Sequence, residues 1–419
     1  MSGSLSRRML LGLFVGASLG TTVHFLAPDA AWVEQVITWF TAPVGTIFLR
    51  LLSMLVIPLV VPALALGVAG LGDLRHLGRV GLRFGLYTLA VSSIAVLLGV
   101  GLVEWIGPGR GLDPELAAKL RATTAAPSAP SPLAGRSGAD FFVQLVPSNV
   151  VGALADGDML AVMVFSLLLG IGLAAVRTEP ARRLEEGLQG LFDVVMWLLG
   201  TVIRMAPLGV ACLLFTTTAR LGYEVLGELA AYVGVVVGAL SLHMLVTYPI
   251  SVRWLGGMSP VFFYRGIRAA MLTAFSTASS NATLPTALLV ADRELKLPSH
   301  VSRFVLTIGS TANQNGTALF EGVTVLFLAQ LYGVDLSFAQ QLGIVGICVL
   351  GGIGTAGVPA GSIPVIAMIL GMIHVPPEAI GLILGVDRFL DMCRTTVNVT
   401  GDLAAAVVVS RGETAPPPS

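Results

Sequence analysis

The apolar stretch over residues 376–410 carries the side chains best suited to chemistry. It contains several ionisable, hydroxyl and amide groups: Asp387, Asp391, Arg394, Thr395, Asn398 and Asp402. In a helix that turns 100 degrees per residue, these positions fall within an arc of about 100 degrees on one face. Carboxylates outnumber arginines there, so a bound ligand or cation would complete the charge. The alternative is an Asp/Arg network that only holds helices together.

Composition places this charged face inside a membrane. Of the 419 residues, 55% are hydrophobic and 11% are charged, whereas soluble domains have roughly 25% charged residues. Ionisable groups at membrane depth are costly, so they face a protein interior or a water-filled cavity and mark a substrate or ion pathway. Lys and Arg together number 24 and equal the 24 Asp and Glu. Because there is no basic excess, we expect no binding of nucleic acid.

Cysteine and histidine spacing gives no sign of a metal enzyme. Cys212, Cys348 and Cys393 lie far apart in apolar segments, and the five histidines form no ligand motif. The sequence also shows no Ser/His or paired-Asp catalytic motif. We therefore expect no enzyme activity and no cofactor, and a membrane-embedded enzyme is only a competing interpretation.

Hydropathy predicts an all-α integral membrane protein with eight transmembrane helices. A span requires about 20 apolar residues. The expected spans lie near residues 9–27, 43–70, 80–106, 159–177, 187–217, 224–252, 302–332 and 376–410. Arginines concentrate in alternate connections, which by the positive-inside rule predicts a multi-pass protein of the cell inner (plasma) membrane with both termini in the cytoplasm.

Two further apolar segments, 259–292 and 336–373, are predicted to be re-entrant helical hairpins. Their centres, 274–285 and 354–364, are rich in small residues, Ser, Thr and Pro. Each hairpin precedes a full span, so we interpret the pair as an inverted repeat. Short interrupted segments of this kind point to a binding site at the membrane midplane, where helix N-termini offer free N–H groups. Tight helix packing is the alternative explanation.

The expected span 302–332 is predicted to be unwound near its centre. Residues 309–317 read Gly-Ser-Thr-Ala-Asn-Gln-Asn-Gly-Thr, which brings amides and glycines into an apolar segment. Backbone carbonyls freed by such a break can line a site within a membrane protein. A simple glycine kink would explain the same residues.

These motifs together resemble the glutamate and aspartate transporter homologues, the dicarboxylate/amino-acid:cation symporters. The resemblance covers about residues 43–405 and rests on segments 54–58, 145–155, 279–285, 313–317, 354–359 and 391–402. It implies a homotrimer in a lipid bilayer that moves its substrate by an elevator mechanism. The implied units are a scaffold and trimerisation domain (1–79 and 140–220), a transport domain (80–106 and 221–410), an extracellular loop (107–139) and a disordered tail (411–419).

The resemblance also implies a set of substrate-binding residues. They are Ser280, Thr317, Ser362, Asp391, Arg394, Thr395 and Asn398. Arg394 would bind the side-chain carboxylate of the substrate and Asp391 its ammonium group, while Asn398 and the tip near Ser280 would bind the main-chain carboxylate. A planar guanidinium pairs bidentately with a carboxylate, and a neighbouring carboxylate favours an ammonium group. We therefore expect L-aspartate or L-glutamate as substrate, with C4-dicarboxylates as the alternative.

The sequence departs from this family at the sites for coupling ions. Sodium-driven members have Asn-Met-Asp-Gly-Thr where this chain has Asn313-Gln-Asn-Gly-Thr317, so neutral Asn315 replaces an acidic sodium ligand. Thr88 and Val91 replace a tyrosine and a threonine of the same site, leaving Ser92. Because sodium prefers hard oxygen ligands with charge compensation, this site is expected to be weak. The degenerate set of cation ligands that remains is Gly309, Asn313, Asn315, Asn398 and Asp402.

Glu321 is the expected proton carrier. It lies one turn beyond the break, at a position where proton-coupled relatives carry a protonatable glutamate. Removal from water favours the neutral form of a carboxyl group. The predicted function is proton-coupled symport of acidic amino acids with weak or absent sodium coupling. The alternatives are a Glu321 permanently paired with Arg388 or Arg204, a sodium-coupled aspartate symporter, and an anion channel.

Overall fold

The computed structural model describes residues 2–27, 30–71, 79–111, 146–156, 159–176, 178–222, 224–354, 361–376 and 379–413. Within these ranges the chain is helical and has no strand, which confirms the all-α class. The helices of the first half are α1 (Ser2–Leu26), α2 (Ala31–Val36), α3 (Ala42–Met54), α4 (Val56–Leu71), α5 (Arg79–Ile106), α6 (Val150–Asp156), α7 (Met159–Ala175) and α8 (Glu179–Leu221).

The second half contains the predicted hairpins and the charged helix. Its helices are α9 (Glu224–Leu242), α10 (Pro260–Gly266), α11 (Arg268–Thr277), α12 (Ser280–Arg293), α13 (Ser299–Ala312), α14 (Asn315–Leu331), α15 (Phe338–Gly354), α16 (Ser362–Met372) and α17 (Ile380–Ser410). After α9 the helical path continues to Leu255 through two π-helical turns, His243–Thr247 and Ser251–Leu255.

Prolines divide two of the expected spans. The expected span 43–70 is interrupted at Leu55, between α3 and α4, where Pro58 has no N–H to donate to the carbonyl of Met54. The expected span 187–217 is part of a helix of 43 residues. Its segments Glu179–Val202 and Arg204–Arg220 are bent by 49°. Pro207 explains this bend because it leaves the carbonyl four residues earlier without its helical partner.

Among the described helices, two are long and apolar enough to cross a membrane unaided, namely Val80–Ile106 and Leu226–Leu255. The bent pair within α8 provides a third if it counts as one span. The helices on either side of the break in 302–332 are too short individually, with 14 residues in α13 and 17 in α14. The number of eight spans therefore stays a prediction.

α1 and α8 are joined along a line of glycines. Gly12, Gly16 and Gly20 lie one helical turn apart, and a Cβ at Gly12 or Gly16 would overlap the carbonyl oxygen of Pro207 or Ala211. At Gly20 it would lie 2.6 Å from the carbonyl oxygen of Phe215. Small residues at this spacing let helix backbones approach closely, which is how helices associate in membranes.

The two predicted hairpins are helix pairs in the structure. α11 and α12 pack against each other and are joined by Ala278 and Ser279. Ala278 takes a left-handed conformation with φ of 50°, and the Ser279 side chain accepts a hydrogen bond from the backbone N–H of Ala282 at 3.2 Å. α15 and α16 also pack together, but residues 355–360 of the second predicted tip lie outside the described residues.

The charged helix α17 lies at the centre of these elements. It packs against α11, α12, α13 and α14, and also against α1 and α8. α14 is buried at every residue except Gln330, so its other polar residues face protein. The unwound segment of the expected span 302–332 is confirmed and is limited to Asn313 and Gln314, whose backbones are not helical. The break therefore faces the polar side of α17.

Most of the predicted extracellular loop, 112–139, lies outside the described residues, as do residues 414–419 of the tail. A disordered tail is expected from residue 411, yet its first residues make contacts. Arg411 donates hydrogen bonds to the carbonyls of Trp254 and Leu255, and Glu413 pairs with Arg83.

Candidate functional site

Arg394 forms the centre of the charged face. Its side chain is 2% exposed. Nε lies 3.0 Å from Oδ1 of Asp391, and Nη1 lies 3.2 Å from Oδ1 of Asp387. The guanidinium carbon is also 4.3 Å from the centroid of the Phe320 ring on α14. Because a buried charge requires a partner, the two carboxylates and the ring hold the guanidinium in place.

Arg388 completes a network of alternating charges. Its Nη1 lies 3.5 Å from Oδ2 of Asp391, three residues further along α17. Arg388, Asp391, Arg394 and Asp387, hereafter the ion-pair network, carry formal charges that cancel. The excess of carboxylates expected on this face is therefore not among these residues. It lies at Asp402, whose oxygen is bound by an amide instead of an arginine.

Asn398 holds the break between α13 and α14. Its Oδ1 accepts hydrogen bonds from the backbone N–H groups of Gly316 at 2.7 Å and Thr317 at 3.3 Å, so it satisfies two free donors at the start of α14. Its Nδ2 donates to Oε1 of Gln314 at 2.6 Å and to Oγ1 of Thr317 at 2.9 Å. The carboxamide is thus bonded to the break on both of its polar atoms.

Gln314 in the break and Gly316 at the start of α14 make this arrangement chemically and sterically feasible. Gln314 donates from Nε2 to the carbonyl of Ser310 at 2.8 Å while its oxygen accepts from Asn398. At Gly316, a Cβ would lie 2.5 Å from the carbonyl oxygen of Arg394. Only glycine therefore lets α14 begin against α17.

Asp402 and Asn313 form an oxygen-rich pair next to α13. Nδ2 of Asn313 donates to Oδ1 of Asp402 at 2.9 Å, and Oδ1 of Asn313 has no hydrogen-bond partner among the described residues. A Cβ at position 309 would lie 2.7 Å from Asp402 Oδ1, so Gly309 lets the carboxylate approach the helix. A carboxylate and an amide oxygen without a donor are hard ligands of the kind that a sodium ion takes.

Asn315 lies in a separate hydrogen-bonded chain. Its Oδ1 accepts from Oγ of Ser92 at 2.6 Å, and its Nδ2 donates to the hydroxyl of Tyr248 at 3.2 Å. That hydroxyl donates to the carbonyl of Val397 at 3.0 Å. Both polar atoms of Asn315 are therefore engaged by the protein. Thr88, on the same helix as Ser92, has a buried hydroxyl without a partner in the described part of the chain.

Glu321 is fully buried, and neither of its carboxyl oxygens has a hydrogen-bond partner among the residues described. It lies on α14 next to Phe320 and against Gly351 of α15, where a Cβ would be 3.1 Å from Oε2 of Glu321. A permanent ion pair with Arg388 or Arg204 is not present: Arg388 binds Asp391, and the Arg204 side chain is exposed.

The remaining expected substrate ligands are buried. The hydroxyls of Ser280, at the start of α12, and Ser362, at the start of α16, have no hydrogen-bond partner within the described ranges. Thr317 accepts from Asn398, as given above, and Thr395 is 4% exposed on α17. Unpaired hydroxyls at two helix N-termini could bind an anionic group without losing an existing bond.

Sequence reasoning missed the structural roles of two residues. Tyr248 bridges Asn315 and α17, and Gln314 bridges Ser310 and Asn398. A glutamine inside an apolar span was the available signal for Gln314. Tyr248 had no comparable signal, because its partners are 67 and 149 residues away in the sequence.

This helical arrangement, with a broken helix beside a charged one, has the features of a membrane symporter. The sequence model of the sodium:dicarboxylate symporter family matches residues 5–412, and the chain belongs to this family. It is 33% identical to the proton/glutamate-aspartate symporter of Escherichia coli (strain K12) over 415 residues, covering 98% of this chain and 93% of that protein.

Two further relatives come from Bacillus subtilis (strain 168). The proton/sodium-glutamate symport protein is 35% identical over 405 residues, covering 96% of this chain and 92% of the relative. The C4-dicarboxylate transport protein is 31% identical over 410 residues, covering 98% of this chain and 94% of the relative. The family membership indicates a membrane transporter.

Proposed function

We propose that the protein is a symporter of L-aspartate or L-glutamate driven by protons, with weak or absent sodium coupling. The observation that carries this proposal is the contact between Arg394 and Asp391 on a buried face. An acidic amino acid has an extra carboxylate and an ammonium group, and these two residues offer one partner for each. The unpaired hydroxyls of Ser280 and Ser362 are available to its main-chain carboxylate and to closing the site.

Glu321 supports proton coupling. A buried carboxylate without an ion-pair partner or a hydrogen-bond donor is unfavourable, so a proton is the simplest species that neutralises it. We infer that Glu321 carries the proton and that its release accompanies release of the substrate. Two relatives whose names include protons and glutamate, from Escherichia coli and Bacillus subtilis, favour the same assignment.

The residues at the expected sodium sites favour weak sodium binding. At Asn315 an amide stands where sodium-driven relatives place a carboxylate, and its donor nitrogen is aimed at Tyr248. The group around Gly309, Asn313 and Asp402 keeps one carboxylate, so we assign any remaining sodium binding to it. Asn398 acts beside it by holding the break.

The test is uptake of radiolabelled L-aspartate into proteoliposomes of the purified protein. An inward proton gradient and an inward sodium gradient are applied in turn, each with the membrane potential held at zero by potassium and valinomycin. Uptake with the proton gradient alone is expected. Uptake that requires sodium and ignores the proton gradient would refute the proposal.

C4-dicarboxylate transport is the second candidate, because a relative with that name is 31% identical over nearly the whole chain. Excess succinate added to the aspartate assay separates the two. Strong competition by succinate, together with weak competition by unlabelled aspartate, would favour the dicarboxylate assignment.

We also propose the family organisation for this chain: a homotrimer with both termini in the cytoplasm and a transport domain moving against a scaffold. The scaffold would comprise 1–79 and 140–220, and the transport domain 80–106 and 221–410. The tight contact of α1 with α8 suits a fixed scaffold. Crosslinking of the purified protein in membranes, with trimers as the expected product, tests the oligomeric part.

A further inference from the structure

A groove of about 840 Å³ is lined by other residues than the four of the ion-pair network. It runs between α5, the π-helical end of the α9 path and the end of α17. Most of its walls are apolar, including Leu86, Ile94, Val246 and Ile250. These four side chains are between 43% and 60% exposed, so the groove opens to the surroundings of the protein. Its volume is within the range of about 300–1,000 Å³ that is usual for ligand sites.

One end of the groove is cationic. Arg83 and Arg411 both line it. Nη1 of Arg411 donates to the carbonyls of Trp254 at 2.8 Å and Leu255 at 3.0 Å, which fixes its position. Nη1 of Arg83 donates to the carbonyl of Arg411 at 3.4 Å and lies 3.4 Å from Oε1 of Glu413. Both arginines therefore line the groove, and the Arg83 guanidinium contacts the backbone of Arg411.

The same end has the composition of a membrane interface. Trp254 is 73% exposed, and Arg253 next to it is exposed as well. Tryptophan and arginine at one level mark the boundary between hydrocarbon and headgroups. Among the residues that the structure describes at this end, Arg83, Arg253 and Arg411 stand against one carboxylate, Glu413. This end therefore attracts an anion.

We propose that the groove binds one anionic phospholipid, with its phosphate between Arg83 and Arg411 and an acyl chain along the apolar walls. The occupant is a lipid because the walls are apolar over their length and only the interfacial end is charged. It is an anionic lipid, such as phosphatidylglycerol, because the arginines outnumber the acidic residue there. A basic residue near a membrane surface raises the affinity for anionic lipid about five-fold.

The test uses tryptophan fluorescence, since Trp254 stands at the charged end. Trp32, Trp39, Trp105 and Trp197 are replaced by Phe, which leaves Trp254 as the reporter. The protein is reconstituted in phosphatidylcholine containing increasing fractions of brominated phosphatidylglycerol or brominated phosphatidylcholine, which quench tryptophan on contact. Half-maximal quenching of Trp254 is expected at a fraction of brominated phosphatidylglycerol at least about five-fold lower than the fraction of brominated phosphatidylcholine that has the same effect. A variant that keeps only Trp105, 82% exposed at the other end of α5, is the reference for bulk lipid and is expected to show no preference.

Two substitutions test the charged end and the apolar walls of the groove separately. Arg83→Gln is expected to lower the preference for phosphatidylglycerol about five-fold, whereas Arg293→Gln, which removes an exposed arginine from α12, is expected to leave it unchanged. Ala90→Phe narrows the groove and is expected to reduce quenching by both lipids. Equal quenching of Trp254 by the two lipids in the parent protein, or a preference that Arg83→Gln leaves unchanged, would overturn the proposal.

Discussion

Nδ2 of Asn398 lies 2.6 Å from Oε1 of Gln314, so a residue of the charged helix is bonded directly to the break in its neighbour. The same carboxamide accepts from the backbone of Gly316 at the start of α14. One side chain of α17 is thereby bonded both to the break and to the start of α14. A change at the break is therefore expected to alter the charged face of α17, and a change on that face is expected to alter the break.

Replacing Gln314 by Met tests this connection. The substitution keeps the length of the side chain but leaves the Ser310 carbonyl and one N–H of Asn398 without this partner. Unpaired buried polar groups cost about 1–3 kcal/mol each, so the unfolding temperature in detergent is expected to fall. Gln189→Met is the control, because Gln189 is exposed on α8 and its side chain bonds to Asp193 one turn further along the same helix. An equal shift in both variants would show that the break is not the cause.

Asp391 and Asp387 both bond to Arg394, yet only Asp391 is assigned to the substrate ammonium group. Asp391→Asn is expected to weaken aspartate binding about 10- to 100-fold, as expected for loss of a charged hydrogen bond, and to leave succinate binding largely unchanged. Asp387→Asn is the matched control and is expected to keep the preference for aspartate over succinate. Competition by each ligand against labelled aspartate measures the preference. Loss of the preference in both variants would contradict the separate role of Asp391.

Glu321→Gln is expected to separate exchange from proton-driven uptake. Glutamine mimics the neutral carboxyl group, so the site can still bind substrate and exchange it across the membrane. It cannot release a proton, so an inward proton gradient should no longer drive accumulation. Counterflow of aspartate and gradient-driven uptake are measured on the same vesicles, with Glu186→Gln, an exposed position on α8, as the control. Continued stimulation by the proton gradient in Glu321→Gln would exclude Glu321 as the carrier.

Asn315→Asp is expected to increase sodium dependence. It places a carboxylate beside the hydroxyls of Ser92 and Tyr248 and removes an amide donor from the site. A hard anionic oxygen in a dry site favours a cation. Aspartate uptake is measured against sodium concentration, and Gln35→Glu, which adds a carboxylate at an exposed position of α2, controls for charge alone. Identical sodium curves for parent and Asn315→Asp would show that this position does not limit sodium binding.

Gly16→Ala is expected to destabilise the contact of α1 with α8. The new Cβ would overlap the backbone oxygen of Ala211, which cannot rotate away, and overpacking of this kind costs about 1–3 kcal/mol. Gly200→Ala on α8 is the control, since a Cβ at Gly200 would have open space within 4 Å. That variant is expected to gain helix stability by up to about 1 kcal/mol. Thermal unfolding of both variants in detergent measures the difference, and a stable Gly16→Ala variant would exclude close backbone packing there.

Sequence reasoning identified the elements around the site but not how their side chains pair. The break at Asn313 and Gln314 and the paired helices around Ala278 follow from local signals, namely polar residues in apolar segments. The separation of Asp402 from the ion-pair network does not, because its partner Asn313 lies 89 residues earlier. Gly12, Gly16 and Gly20 show a four-residue spacing in the sequence, but only the structure shows that α8 lies against it.

The ion-pair network also has an electrical consequence. Moving one elementary charge through a membrane potential of 100 mV changes its free energy by about 2.3 kcal/mol. Because the charges of Arg388, Asp391, Arg394 and Asp387 cancel, the potential would do no net work on this network if the ligand-free site moves across the membrane as proposed. The voltage dependence of the return step would then be set by Asp402 and Glu321, through the ions that they hold or have released.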